Sequence, residues 1–230
     1  MNRVLPAARL QLVTWRNMVG WPWGILAASF AVNVAFYASM GDLGRTTVTG
    51  GLVCIYMVLL VALVQSVTQW FPFALGLGVT RRAFYLSHLL LLAAQALLYA
   101  VVLYLLGVLE AATGGWWIKL RFFGIPGLFL DNPVLQLLGY AVPFLLLGTL
   151  GTAVGVVFKR WGTTGLFVLG LFGILVGGAL ATLVTWQGWW AAIGSWFAGQ
   201  SPAVLILGWP ALLSLLLVAV TYPMIRRATP

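Results

Sequence analysis

Residues 83–108 read AFYLSHLLLLAAQALLYAVVLYLLGV, with no Asp, Glu, Lys or Arg, directly after the pair Arg81–Arg82. A helix needs roughly 20 apolar residues to cross a hydrocarbon core about 30 Å thick, and this run is longer than that. Its apolar residues are continuous rather than alternating, which excludes the strand of a transmembrane barrel. Working outward, five further runs qualify, at 21–40, 48–69, 134–158, 163–184 and 203–222. The whole chain agrees: 63% of its residues are apolar and 7% charged, and mean hydropathy is +1.07. A soluble domain carries about 25% charged residues to wet its surface. The expectation is an all-α polytopic membrane protein of six transmembrane helices. It comprises a membrane domain over 21–225, an interfacial helix over 1–20 and a short tail over 226–230. The first run is too long for a signal-peptide core and lacks an Ala-x-Ala cleavage site, so it reads as a retained span.

Charge sets the expected orientation. Arg3, Arg9, Arg16, Arg81, Arg82, Lys159, Arg160, Arg226 and Arg227 all fall on one side of such a six-span plan, with no acidic residue. The other side holds Arg45, Lys119 and Arg121 against Asp42, Glu110 and Asp131. Lys and Arg concentrate in cytoplasmic loops, so the basic side, with both termini, is expected inside. The basic charge is spread in pairs over short loops, which excludes a nucleic-acid-binding domain. Trp15, Trp21, Trp23, Trp70, Trp161 and Trp186 lie at span ends, where indole favours the headgroup layer. Two outer segments, 109–133 and 187–202, are too apolar for water and are expected in the interface or folded back into the protein.

Reactive chemistry is missing. There is no phosphate-binding G-x-x-x-x-G-K-[ST] loop, no G-x-S-x-G elbow and no H-E-x-x-H pair, and one histidine cannot build a histidine-rich metal site. Neither an enzyme nor a resident cofactor is expected. The three acids lie at or beyond the outer span ends, not at mid-membrane where ion-driven transporters keep ionisable groups. Lone Cys54 reads as a small packing residue. Within the spans, Ser29, Asn33 and Tyr37 recur every four residues, and His88, Gln95 and Tyr99 at seven and four. Each set shares a helix face, and either lines a substrate path or bonds helices together. Gly148, Gly151 and Gly155, and again Gly170, Gly173 and Gly177, form smooth strips that let backbones approach closely. The short connection between spans four and five makes those two natural partners.

The loop between the second and third spans reads QWFPFALGLGVTRRAFY over residues 69–85. Pro72 is expected to end the second helix, Gly76 and Gly78 to permit a tight turn, and Thr80 to cap the third helix. Phe71, Phe73, Leu75, Leu77 and Val79 are more apolar than a solvated loop requires, which suggests a docked partner. The stretch A-L-G-L-G-V-T-R-R-A-F-Y resembles the A-x-G-x-x-R-R-x-F loop of bacterial export permeases of the ATP-binding-cassette class. A basic amino-terminal helix, six spans, internal termini and an apolar re-entrant segment before the last span are similar over the whole chain. The long outer connection over 109–133 departs from the compact version of that family.

The resemblance implies that residues 70–82 form a coupling element, with Phe73, Leu75, Gly76, Gly78, Thr80, Arg81 and Arg82 docking on a separate ATP-binding subunit. Two such subunits would hold the ATP and Mg; this chain holds neither. A second permease subunit, identical or related, would complete the pathway in a bacterial cell membrane. The alternative is a non-transporting membrane scaffold or immunity protein.

Overall fold

A computed structural model describes residues 15–41, 46–124 and 132–227. Most of the expected amino-terminal interfacial helix, the end of the tail, and Asp42, Arg45 and Asp131 lie outside these residues. The described chain is almost wholly helical: α1 (Trp15–Ser39), α2 (Val53–Gln65), α3 (Phe71–Gly76), α4 (Arg81–Ala112), α5 (Pro133–Trp186), α6 (Trp190–Ala198) and α7 (Trp209–Arg226). Two-residue strands β1 (Thr47–Val48) and β2 (Leu120–Arg121) pair in parallel and tie the connection between α1 and α2 to the segment following α4. Among the described residues, five helical stretches are long and apolar enough to cross a membrane.

The expected fourth and fifth spans are one 54-residue element, α5, interrupted at Gly162. A straight helix of that length would measure about 80 Å, far more than a bilayer core. Gly162 has φ 65° and ψ −159°, a region essentially reserved for glycine, and the axis bends sharply there. A Cβ on Gly165 would lie 3.6 Å from Cγ1 of Val157, eight residues earlier, although eight residues of straight helix rise about 12 Å. Helical bonding persists through Lys159 and Arg160, where a loop was expected.

The second helix also departs from expectation. Pro72 does not end it. The chain passes from α2 through a π-helical turn, Ser66–Trp70, into α3, where Pro72 occupies the first turn. Proline is tolerated there because its missing N–H has no helical acceptor to lose.

A core of Leu26, Ile55, Leu59, Tyr99, Phe144 and their neighbours joins α1, α2, α4 and α5. A second cluster of Val67, Phe71, Phe84, Tyr85, Val156 and Ile225 sits at the basic end. Val156 therefore meets the end of α7, whereas Gly139 and Pro143 share a cavity wall with Ile206 just before it. That places α7 antiparallel to the first half of α5. After Gly162, α5 is exposed along almost its whole length, as is α6.

The opposite end is closed by the segment following α4. Positive φ at Gly114, Gly115, Trp116, Trp117 and Lys119 winds the chain left-handed, a conformation costly for bulky residues. Phe122 and Phe123 then turn inward and are buried. Phe30 of α1 packs against Trp116, Phe122 and Phe123, with ring centroids 4.9–5.4 Å apart. Residues 109–124 thus fold back onto the bundle, one of the two placements expected of segment 109–133. The other apolar outer segment forms α6, which buries no side chain.

Candidate functional site

The candidate site is the knob at the basic end, built on α3 and the turn to α4. Three bonds close α3: Leu77 N–H to the Phe73 carbonyl at 3.2 Å, Gly78 N–H to Leu75 at 2.9 Å and Val79 N–H to Ala74 at 3.0 Å. The last two are the paired bonds of a Schellman motif, which needs a left-handed residue after the cap. Gly78 supplies it, at φ 77°. Thr80 then caps α4, its Oγ1 accepting from Ala83 N–H at 3.2 Å. Gly76 is the last helical residue and is exposed.

The knob has two faces. Phe73 is 53% exposed and Leu77 55%, and with Gly76 and Gly78 they form an uncovered tip. Phe71 and Ala74 face inward and are buried. Phe71 meets Phe84 edge-on at 5.3 Å. Next to it, the Tyr85 hydroxyl lies 2.6 Å from Thr221 Oγ1 and 3.1 Å from the Val218 carbonyl. Arg81 donates to the Arg226 carbonyl at 2.7 Å, satisfying the carboxyl end of α7, where cations are favoured. Arg82 is exposed and Leu75 half-buried. Displacing the tip therefore strains a bonded connection into α4 and α7.

The two polar stripes sit within helix contacts. His88 Nε2 is 2.9 Å from Thr152 Oγ1, whose own proton goes to the Gly148 carbonyl at 2.8 Å. A hydroxyl has one proton to give, so His88 Nε2–H is the donor. Gln95 donates to the Tyr99 hydroxyl at 3.1 Å, and Tyr99 meets Trp23 of α1 edge-on at 5.2 Å. Asn33 bonds back to the Ser29 carbonyl at 2.8 Å, and the Ser29 side chain bonds Cys54 of α2. Tyr37 is half-buried against Phe36. Clefts of about 590, 480, 440 and 250 Å³ are lined by other residues.

The first glycine strip packs, though not against the fifth run. A Cβ on Gly148 would meet Leu92, one on Gly151 the Leu60 carbonyl at 2.6 Å, and one on Gly155 Val67 at 2.8 Å. Its partners are thus α2 and α4. Gly170, Gly173 and Gly177 have open space at the Cβ position.

One organising residue escaped the sequence reading. Glu110, at the end of α4, is 3% exposed. Its Oε2 accepts from Trp116 Nε1 at 3.0 Å, Phe122 N–H at 2.8 Å and Phe123 N–H at 2.9 Å; its Oε1 accepts from Gly124 N–H at 2.9 Å. The signal was available: an acid in so apolar a chain must find partners, and no basic residue stands within helical reach before it.

No family model, curated protein or solved structure matches this chain.

Proposed function

We infer that this chain is the membrane subunit of an ATP-driven exporter in a bacterial cell membrane. One observation carries the reading: an apolar tip formed by Phe73 and Leu77 stands uncovered at the basic end, on an element whose other face is bonded into the bundle. Isolated apolar residues on a membrane protein ordinarily face lipid. These belong to a capped reversal beside Arg81 and Arg82, where headgroups and water begin, so a protein partner is the better cover. Two ATP-hydrolysing subunits dock here and supply ATP and Mg. A second permease subunit, identical or related, completes a pathway that this bundle is too small to enclose.

In this reading Gly162 is the reversal between a fourth and a fifth crossing, giving six spans with both termini inside. Nucleotide-driven closure of the partners pushes Phe73 and Leu77. Phe71–Phe84, Tyr85–Thr221 and Arg81–Arg226 pass the motion to α4 and α7. Transport then follows from a substrate's different affinity for two states of the bundle, with the plug of Phe30, Trp116, Phe122 and Phe123 yielding at the far end.

The test is to purify the full chain from its native membrane, identify any P-loop subunit that accompanies it, and measure ATP hydrolysis. Phe73→Asp combined with Leu77→Asp should abolish both association and ATP-coupled transport without changing the melting temperature, since both side chains are exposed. Unchanged coupled transport in that double variant refutes the docking role. A chain that carries no ATPase and moves no substrate in vesicles is the scaffold or immunity protein instead.

A further inference from the structure

A cleft of about 590 Å³ lies between α1 and the end of α2 near the basic end. It is assembled by the π-helical turn Ser66–Trp70. Such a turn bonds each residue to the fifth along and so holds an extra residue. Two i, i+4 pairs, Gln65 with Gln69 and Ser66 with Trp70, thereby share one wall. Trp21 stands opposite and is 68% exposed, and Val61 continues the wall toward mid-membrane.

Three features distinguish this cleft from an ordinary groove between lipid-facing helices. Two amide side chains, Gln65 and Gln69, line it and are exposed, so they offer donors and acceptors to whatever fills the cleft. Ser66, 1% exposed, has a buried hydroxyl without a hydrogen-bond partner. Hydroxyls elsewhere in these helices bond back to a carbonyl three or four residues earlier, as Thr68, Ser87 and Thr152 do. Finally, among the described residues the lining contains no ionisable side chain, and two indoles frame it at the depth where Trp settles.

We propose that this cleft binds a membrane lipid with an uncharged, hydroxyl-rich headgroup. The headgroup hydroxyls bond the Gln65 and Gln69 amides and reach the Ser66 hydroxyl; the indoles of Trp21 and Trp70 offer apolar faces to the headgroup ring; the acyl chains run along Val61. A charged headgroup would meet no counter-charge among the described lining residues. The inference goes beyond the exporter reading and needs only that lipid surrounds the bundle.

The experiment uses the full chain in lipid nanodiscs and two probes with the same photoreactive acyl chains, monoglucosyl diacylglycerol and phosphatidic acid. The expected result is labelling of the Val53–Gly76 segment by the glucosyl probe at least about fivefold above phosphatidic acid. Gln65→Leu with Gln69→Leu should cut that labelling about fivefold, the loss of two intramembrane hydrogen bonds. Ser66→Ala separates binding from folding: it should lower labelling while leaving the melting temperature unchanged or raised, because it deletes an unmet hydroxyl. Equal or stronger labelling by phosphatidic acid overturns the proposal, as does glucosyl labelling that all these variants leave intact.

Discussion

Replacing Glu110 by Gln tests whether one carboxylate holds the plug formed by the segment after α4. In the native site Oε2 accepts three donors and Oε1 one, all within 2.8–3.0 Å. A glutamine oxygen can keep the three-donor position, but those bonds lose their charge assistance. Hydrogen bonds to charged groups contribute about 1.5–3 kcal/mol against about 0.5–1.5 for neutral ones. The glutamine NH₂ must then face Gly124 N–H, donor against donor, leaving a partly buried amide unmet. The bonds are not additive, and the expected loss is about 3 kcal/mol. The segment they restrain includes Trp116 and Trp117 at φ 59° and 61°, conformations that side chains as large as indole do not hold without support. The assay is amide hydrogen exchange of the full chain in nanodiscs. A loss of about 3 kcal/mol corresponds to roughly a hundredfold faster exchange at Phe122, Phe123 and Gly124, with Glu110→Ala faster still. Amides in α2 should keep their protection. Native exchange at those three positions in both variants, with helical content intact, would show that the carboxylate does not hold the plug.

Gly151→Ala should lower the melting temperature by about 4–8 °C, because the new methyl meets the Leu60 backbone carbonyl at 2.6 Å and overpacking of about 2 kcal/mol has no flexible side chain to absorb it. Gly173→Ala, with open space at the same position, should melt with the wild type; equal effects from the two would remove the packing role of the first strip. Thr152→Val keeps the shape but deprives His88 of its acceptor, and should cost about 1 kcal/mol. In a cycle with His88→Phe, the two losses should add to less than their sum, and strict additivity would refute the bond.

Much of the helical plan was legible because long apolar runs have few polar side chains to bond their backbone groups, and a helix satisfies those groups within the run itself. Runs 21–40, 83–108 and 203–222 accordingly lie within or largely overlap observed helices, and Thr80 and Gly78 take their places at the knob through purely local bonding. Pro72 misled because its effect depends on what precedes it. After an α-turn it breaks a helix, whereas after the π-helical turn Ser66–Trp70 it begins one. Such a turn has no composition signature; what accompanies it in the fold is the burial of Val67 and Phe71 against neighbouring helices.

Composition and the period of the apolar runs thus determine by themselves that these residues form long apolar helices, and local backbone preferences determine the cap and turn of the knob. Only the tertiary structure decides which neighbour each face meets. The glycine strip of α5 could have joined any helix, and packs on α2 and α4. Glu110 could have been one more outer charge, yet it gathers four donors from residues six to fourteen positions away. Partner choice depends on shape and on hydrogen bonds between distant segments, and a linear pattern of apolar and polar residues does not encode either.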